Sequence, residues 1–487
     1  MSNNLAENFS ERQLWFHNRA NAVFMCYVNS ANDNILVFQN YWRWKNNNNE
    51  VSCVIRIRYE DGKLLDTKKI TIDEHNEISI KQLFNLENFI GSIDVEILST
   101  NNLGFPFPAV LCFYKNINAI SVVHSAGRIL NSHEENTCTE FEESNFLSRY
   151  DENFEPFIHL FCGAYPKNRK ITISFFDYDN KLILSKSLSG FLEKSFSSKI
   201  LRISEICSNE EIELLYSKEF FIVLKTDITG IFGRYLVGVY NNKIDAYFVT
   251  HSFRKINEDN TDFTIASKDY DATTFLPIVC DNPLQVEAIS YPTNAYSEID
   301  LNSKSSGLGE NLIDKEEISK LISGGSKGRV FRKNIKGEGF LFLYSKLDAP
   351  SRINVNYNYS LPNSIFPTDI ATGFKSYVYP PKVNHWGSGY SPKHFETFIF
   401  VRNCLHNFKE SKASDIILEI FTNSVKFKKK YVVGANSAIN IKLSDLKIDF
   451  GSESFFSWRI KSSQISVETF WISFSTNSGQ ICGEHGF

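Results

Sequence analysis

Apolar and polar residues alternate along Val51-Ser-Cys-Val-Ile-Arg-Ile-Arg-Tyr59, with apolar side chains at 51, 53, 55, 57 and 59. That is the period of a strand with one face in water. Ile171-Thr-Ile-Ser-Phe175 repeats it, and short breaks follow the two runs, Asp61-Gly62 and Asp179-Asn180. Asp-Gly between such runs predicts a hairpin, because both central positions of the turn want positive φ. Residues 220–224, 235–240 and 245–250 are further strand-length runs rich in β-branched and aromatic side chains. Helical periodicity is scarce. Its best stretch, 314–322, opens on an acidic turn and stops at Ser323-Gly-Gly325. No amphipathic segment separates the strands as a parallel βαβ chain requires.

The pattern recurs four times. Strand-like runs end at Ser121-Val-Val-His124-Ser125, Phe248-Val-Thr-His251-Ser252, Asn356-Tyr-Asn-Tyr359-Ser360 and Cys482-Gly-Glu-His485-Gly486. Roughly 40 residues upstream of each mark stands a polar-apolar segment such as Ile78-Ser-Ile-Lys-Gln-Leu83 or Leu201-Arg-Ile-Ser-Glu-Ile206, which fits either one strand or one helical turn. Turns and a first strand lie further back at similar spacing. The first-to-third and second-to-fourth intervals nearly coincide, as expected of a two-module protein that duplicated whole. The predicted fold is all-β: four tandem antiparallel β-sandwich modules in two pairs, with little helix.

The expected bounds are a leader at 1–32, modules at 33–130, 155–255, 274–361 and 394–487, an acidic connector at 131–154, a linker at 256–273 and an aromatic, proline-rich connector at 362–393. Composition fits. Apolar residues make up 42% and aromatic ones 14% of 487 residues, enough to give each module its own core. The net charge of −4 lacks the basic excess of a nucleic-acid binder, so no nucleic-acid partner is expected. Lys426-Phe-Lys-Lys-Lys430 reads as a protected edge strand or a solvated face. The N-terminus carries no basic start and no apolar core of a signal peptide, and no run is long enough to span a bilayer. Nine scattered cysteines without a CxxC pair point to reduced core thiols and a cytoplasmic location.

Candidate chemistry is thin. His124, His251 and His485 recur at one repeat position, with Tyr359 as the fourth member. A shared site there requires the four last strands to converge on one axis. The simpler expectation is a histidine bonded to a backbone group inside its own sandwich, because phenol replaces a zinc ligand poorly. Neighbours in Cys482-Gly-Glu484-His485 should point to opposite faces of a strand, and no HExxH is present. No metal and no cofactor are therefore expected. Gly387-Ser388-Gly389 lacks the spacing of a nucleophile elbow, and 323–328 does not satisfy a phosphate loop.

The aromatic connector is too long and too aromatic for a plain linker. Two uses compete for it, a clasp between module pairs and a ligand surface built from His385, Trp386, Tyr390, His394 and Arg402. The function expected is a non-catalytic binding or assembly protein with a carbohydrate or protein partner. The alternative is a carbohydrate-related enzyme with its site at a module interface near 374–406.

Overall fold

The computed structural model describes residues 18–103, 108–125, 138–163, 169–177, 181–191, 194–229, 235–254, 272–278, 284–290, 301–305, 329–335, 339–345, 355–371, 384–403, 412–435, 437–464 and 467–487. Outside them lie Trp15, Phe16 and His17 of the leader, the 179–180 turn, the 314–322 and 323–328 segments, Cys280, Cys404 and connector residues 372–383.

The first module runs β1 (Arg19–Val28), β2 (Asn32–Gln39), β3 (Val51–Tyr59), β4 (Leu64–Thr71), β5 (His75–Ser79), β6 (Phe89–Ser99), β7 (Leu111–Asn116) and β8 (Ile120–His124). They form two antiparallel sheets, ordered β1-β6-β3-β4 and β5-β2-β7-β8. The second module comprises β9 (Cys138–Arg149), β10 (Phe154–Phe161), β11 (Arg169–Phe176), β12 (Leu182–Phe191), β13 (Ser198–Arg202), β14 (Glu219–Thr229), β15 (Leu236–Asn241) and β16 (Ala246–His251). A short β17 (Phe253–Arg254) is added beside β9.

The third module contains β18 (Ala272–Ile278), β19 (Leu284–Ser290), β20 (Leu301–Ser305), β21 (Arg329–Ile335), β22 (Gly339–Ser345), β23 (Val355–Ser360) and β24 (Thr368–Ala371). The fourth runs β25 (Asn384–Tyr390), β26 (Glu396–Asn403), β27 (Ser414–Phe421), β28 (Lys426–Val433), β29 (Ser437–Lys442), β30 (Phe455–Ser462), β31 (Val467–Ser475) and β32 (Gln480–His485). Each module repeats one topology: a 1-6-3-4 sheet against a 5-2-7-8 sheet, with the fourth strand of the third module absent among the described residues.

The alternation read at 51–59 holds. Cys53, Ile55 and Ile57 are fully buried between the sheets. The β3–β4 turn needs Gly62, at φ +84°, where a Cβ would stand 2.3 Å from the Ser195 carbonyl oxygen of the second module. The segment that fitted strand or helical turn is both. In the first module β5 ends at Ser79, whose hydroxyl accepts from the Gln82 amide and caps a turn at Ile80–Leu83. Residues Ile203–Ile206 and Leu443–Leu446 form the matching helical turns after β13 and β29, without a side-chain cap. The helix Asn209–Leu215, closed by a Ser208–Glu211 capping box, was not anticipated.

Pairing carries the modules past their expected bounds. The sixth strand of each module needs a partner on its free side, and the first strand supplies it. That strand comes from the leader (β1), the acidic connector (β9) and the aromatic connector (β25). Strand β9 thus occupies part of the acidic connector, and β24 and β25 occupy parts of the aromatic one. No helix among the described residues is long and apolar enough to cross a membrane.

The modules pack as a closed ring. Ser121 Oγ of β8 donates to the Tyr247 carbonyl of β16, 3.1 Å away. Thr250 Oγ1 of β16 reaches Asp369 on β24 at 3.0 Å, and Thr368 Oγ1 of β24 reaches the Gly483 carbonyl of β32 at 3.2 Å. His124 of β8 meets Glu484 of β32. The four eighth strands, each an otherwise open edge, are therefore buried against one another at the centre. One hydrophobic core runs through residues of the first, second and fourth modules, from Phe24 and Phe113 through Phe157 and Tyr247 to Trp458 and Trp471.

Candidate functional site

Three of the recurring residues meet at that centre. His124, His251 and His485 each close an eighth strand, opposite Leu111, Leu236 and Phe470. The His124 ring lies edge-on to both others, with centroids 4.5 Å from His251 and 4.6 Å from His485. Phe487 packs its ring against His124 and His485 at 5.6 and 5.4 Å. His124, His251 and Glu484 are 5%, 3% and 4% exposed, while the His485 side chain is 27% exposed, so the cluster is buried except at His485.

The hydrogen bonds fix the imidazoles. His251 Nδ1 lies 3.0 Å from the Ser252 carbonyl, and His485 Nδ1 lies 2.9 Å from the Gly486 carbonyl. A carbonyl oxygen only accepts, so each Nδ1 carries a proton and the neutral ring keeps its lone pair on Nε2. His124 Nδ1 stands 3.0 Å from Glu484 Oε2, while His485 Nε2 stands 3.7 Å from Glu484 Oε1. The Glu484 carboxylate therefore sits between two imidazoles from different modules.

The expectation of a backbone hydrogen bond within each sandwich holds for His251 and His485. What it missed is the convergence of the strands. Two further points correct the sequence reading. Tyr359 is not the fourth member: it lies on the seventh strand, β23, and pairs with Thr368, which begins the eighth. The longer connection between β23 and β24 displaced the apparent match. Glu484 and His485 are neighbours in regular register on β32, yet their side chains still approach each other, with His485 Nε2 3.7 Å from Glu484 Oε1. Glu484 was visible in the sequence motif but discounted on that alternation. Asp369 gave no signal at all.

The connector residues are dispersed instead. Trp386 is buried, stacked on Tyr41 at 4.7 Å, with the Lys45 ammonium 4.6 Å from its ring. Its backbone exchanges two hydrogen bonds with Phe487, at 3.1 and 2.8 Å. Tyr390 packs on Phe455 and Phe395, at 4.9 and 5.3 Å, and burial pushes its phenol pKa up. His385 is buried on β25 beside Ile460 of β30. Arg402 lies on the other sheet, ion-paired with Glu468. Only His394 is exposed, in the turn before β26. Gly387 and Gly389 make room for aromatic neighbours: a Cβ would stand 2.5 Å from the Trp458 ring and 2.6 Å from Phe456.

Around this segment the first and fourth modules share a polar seam. Gln39 Nε2 donates to the Gly387 and Trp458 carbonyls at 2.9 and 3.1 Å, and its oxygen accepts from Arg459 Nε at 2.7 Å. His75 Nδ1 lies 2.9 Å from Ser457 Oγ.

No known protein family matches the chain, and no curated protein resembles it.

Proposed function

We propose that this chain is a non-catalytic binding or assembly protein that works as one rigid body of four sandwiches. The observation that carries the reading is the burial of the eighth strands. Edges that would be sticky in isolated modules are consumed in the ring, while the outer edge β28 carries Lys426, Lys428, Lys429 and Lys430. The interior is spent on holding modules together, which leaves the outer faces and loops for a protein or carbohydrate partner. Six cysteines among the described residues are buried and unbridged, which agrees with a cytoplasmic setting.

A carbohydrate enzyme centred on 374–406 draws no support from the described residues of that segment. The Trp386 ring already lies against Tyr41 and the Lys45 ammonium, and Tyr390 is buried among phenylalanines. The test is cross-linking mass spectrometry with the tagged chain in its native cells, alongside a turnover screen on glycosides and nucleotide sugars. A stoichiometric partner with no turnover supports the reading. Saturable turnover by the purified chain overturns it.

A further inference from the structure

We infer that His124, Glu484 and His485 form a binding site for a divalent transition metal of the zinc class, which joins the first module to the fourth at the centre of the ring. One ligand atom from each of the three residues lies within 4.8 Å of the others. Zinc binds imidazole and carboxylate at about 2.0–2.2 Å in tetrahedral sites, so neighbouring donor atoms stand about 3.4 Å apart. Here Glu484 presents Oε2 to His124 Nδ1 at 3.0 Å and Oε1 to His485 Nε2 at 3.7 Å, separations close to that value on the two sides of one carboxylate.

An independent observation concerns orientation. His485 gives its Nδ1 proton to the Gly486 carbonyl, which leaves Nε2, the nitrogen on the carboxylate side, as the basic one. Metal-bound imidazoles characteristically hold their other nitrogen in just such a hydrogen bond, which fixes the tautomer and raises basicity. His251 is fixed in the same way and packs against the outside of His124, where it shields the site together with Phe487. In the site the ion takes the place of the proton between His124 and Glu484. Two imidazoles and one carboxylate favour zinc, iron(II) or cobalt(II) over calcium or magnesium, which prefer all-oxygen shells. Cysteine is not among the ligands: the donor atoms that come together are those of His124, Glu484 and His485 alone.

The test begins with the full chain, stripped by chelator and titrated with Co(II), then loaded with Zn(II) for X-ray absorption. The expected result is one equivalent of Co(II) with visible d–d absorption, and a zinc shell of nitrogen and oxygen showing imidazole scattering. Glu484→Gln keeps the size of the side chain, and His485→Asn removes one imidazole. Each should weaken Co(II) binding more than about a hundredfold, beyond what loss of an outer-shell partner costs, while far-UV dichroism stays native. Folded wild-type chain that binds no Co(II) overturns the inference. So does a sulfur-containing shell, or a folded Glu484→Gln variant that binds as tightly as wild type. If both variants fail to fold, the wild-type stoichiometry and ligand shell decide alone.

Discussion

His124 and Glu484 stand 360 positions apart in the chain, yet the imidazole of one donates to the carboxylate of the other across 3.0 Å. Both side chains are more than nine-tenths buried. The contact therefore reports directly on whether the first and fourth modules are docked. In chelator-treated protein, replacing either partner alone should cost about 1–3 kcal/mol, because a buried polar group loses its hydrogen bond across the module boundary. The double replacement His124→Leu with Glu484→Leu should cost far less than the two singles added. Urea unfolding of the four proteins gives the coupling. Strict additivity would mean that the two groups are not in contact in solution.

A second expectation concerns acid. His159, buried on β10, is held down to a pKa of about 3 by desolvation, and His75 to about 4 by the same cause, partly offset by Glu453. Both rings are neutral in the fold. Above about pH 6.5 they are neutral in the unfolded chain too and add no pH dependence. Below it the unfolded chain takes up the proton first, so stability falls until pH reaches the folded pKa values near 4 and 3. Between pH 7 and pH 5 each ring should remove about 2 kcal/mol. His159→Leu should take its own share out of that difference. An unchanged pH 7-to-5 difference in the leucine variant would show that His159 is already charged in the fold.

Much of this architecture was legible in the sequence, for a physical reason. Strand alternation at 51–59 and the repeated landmarks depend on short-range patterning, and each module must bury one face of each strand. The first strands escaped notice because β1, β9 and β25 pair with residues about 60 or more positions downstream, as Arg19 with Leu98 and His385 with Ile460. Nothing local marks such a partner. The centre was half legible: the recurrence of His124, His251 and His485 could be read, but their meeting depends on how modules dock. Tyr359 was misassigned because a wider β23–β24 connection preserved the spacing while changing the strand. Trp386 and Tyr390 stayed open between a clasp and a ligand platform, because composition does not distinguish the two.

That distinction yields a third expectation. Gly387→Ala places a methyl group 2.5 Å from the Trp458 ring, in a fully buried seam. The indole must move, at a cost of about 1–3 kcal/mol. Trp386→Ala should cost about 3–5 kcal/mol, since it removes the stack on Tyr41 and leaves a void beside Phe487. Thermal melts and tryptophan fluorescence check both. A Trp386→Ala variant with wild-type stability would return that ring to the surface and restore the case for a ligand platform.

The last expectation concerns β32. Its register sets Ile481, Cys482 and Gly483 opposite Phe474, Ser473 and Ile472 of β31, and its other side faces β8 and β24. Gly483 is required there, because a Cβ would stand 2.5 Å from the Trp471 carbonyl and 3.1 Å from Ile370. Deleting residues 480–487 removes the Glu484 contact to His124, the Gly483 carbonyl that holds Thr368, and the Phe487 pairing with Trp386. It also uncovers β31, whose Phe470, Trp471, Ile472 and Phe474 are all buried in the intact chain. A bare apolar edge of that length is a template for aggregation. The truncated chain should therefore accumulate in the insoluble fraction. Val432→Lys, at a position 63% exposed on the outer edge β28, should instead change stability by no more than about 0.5 kcal/mol. Soluble, cooperatively melting truncated protein would remove β32 from the centre of the ring, and the central histidine cluster with it.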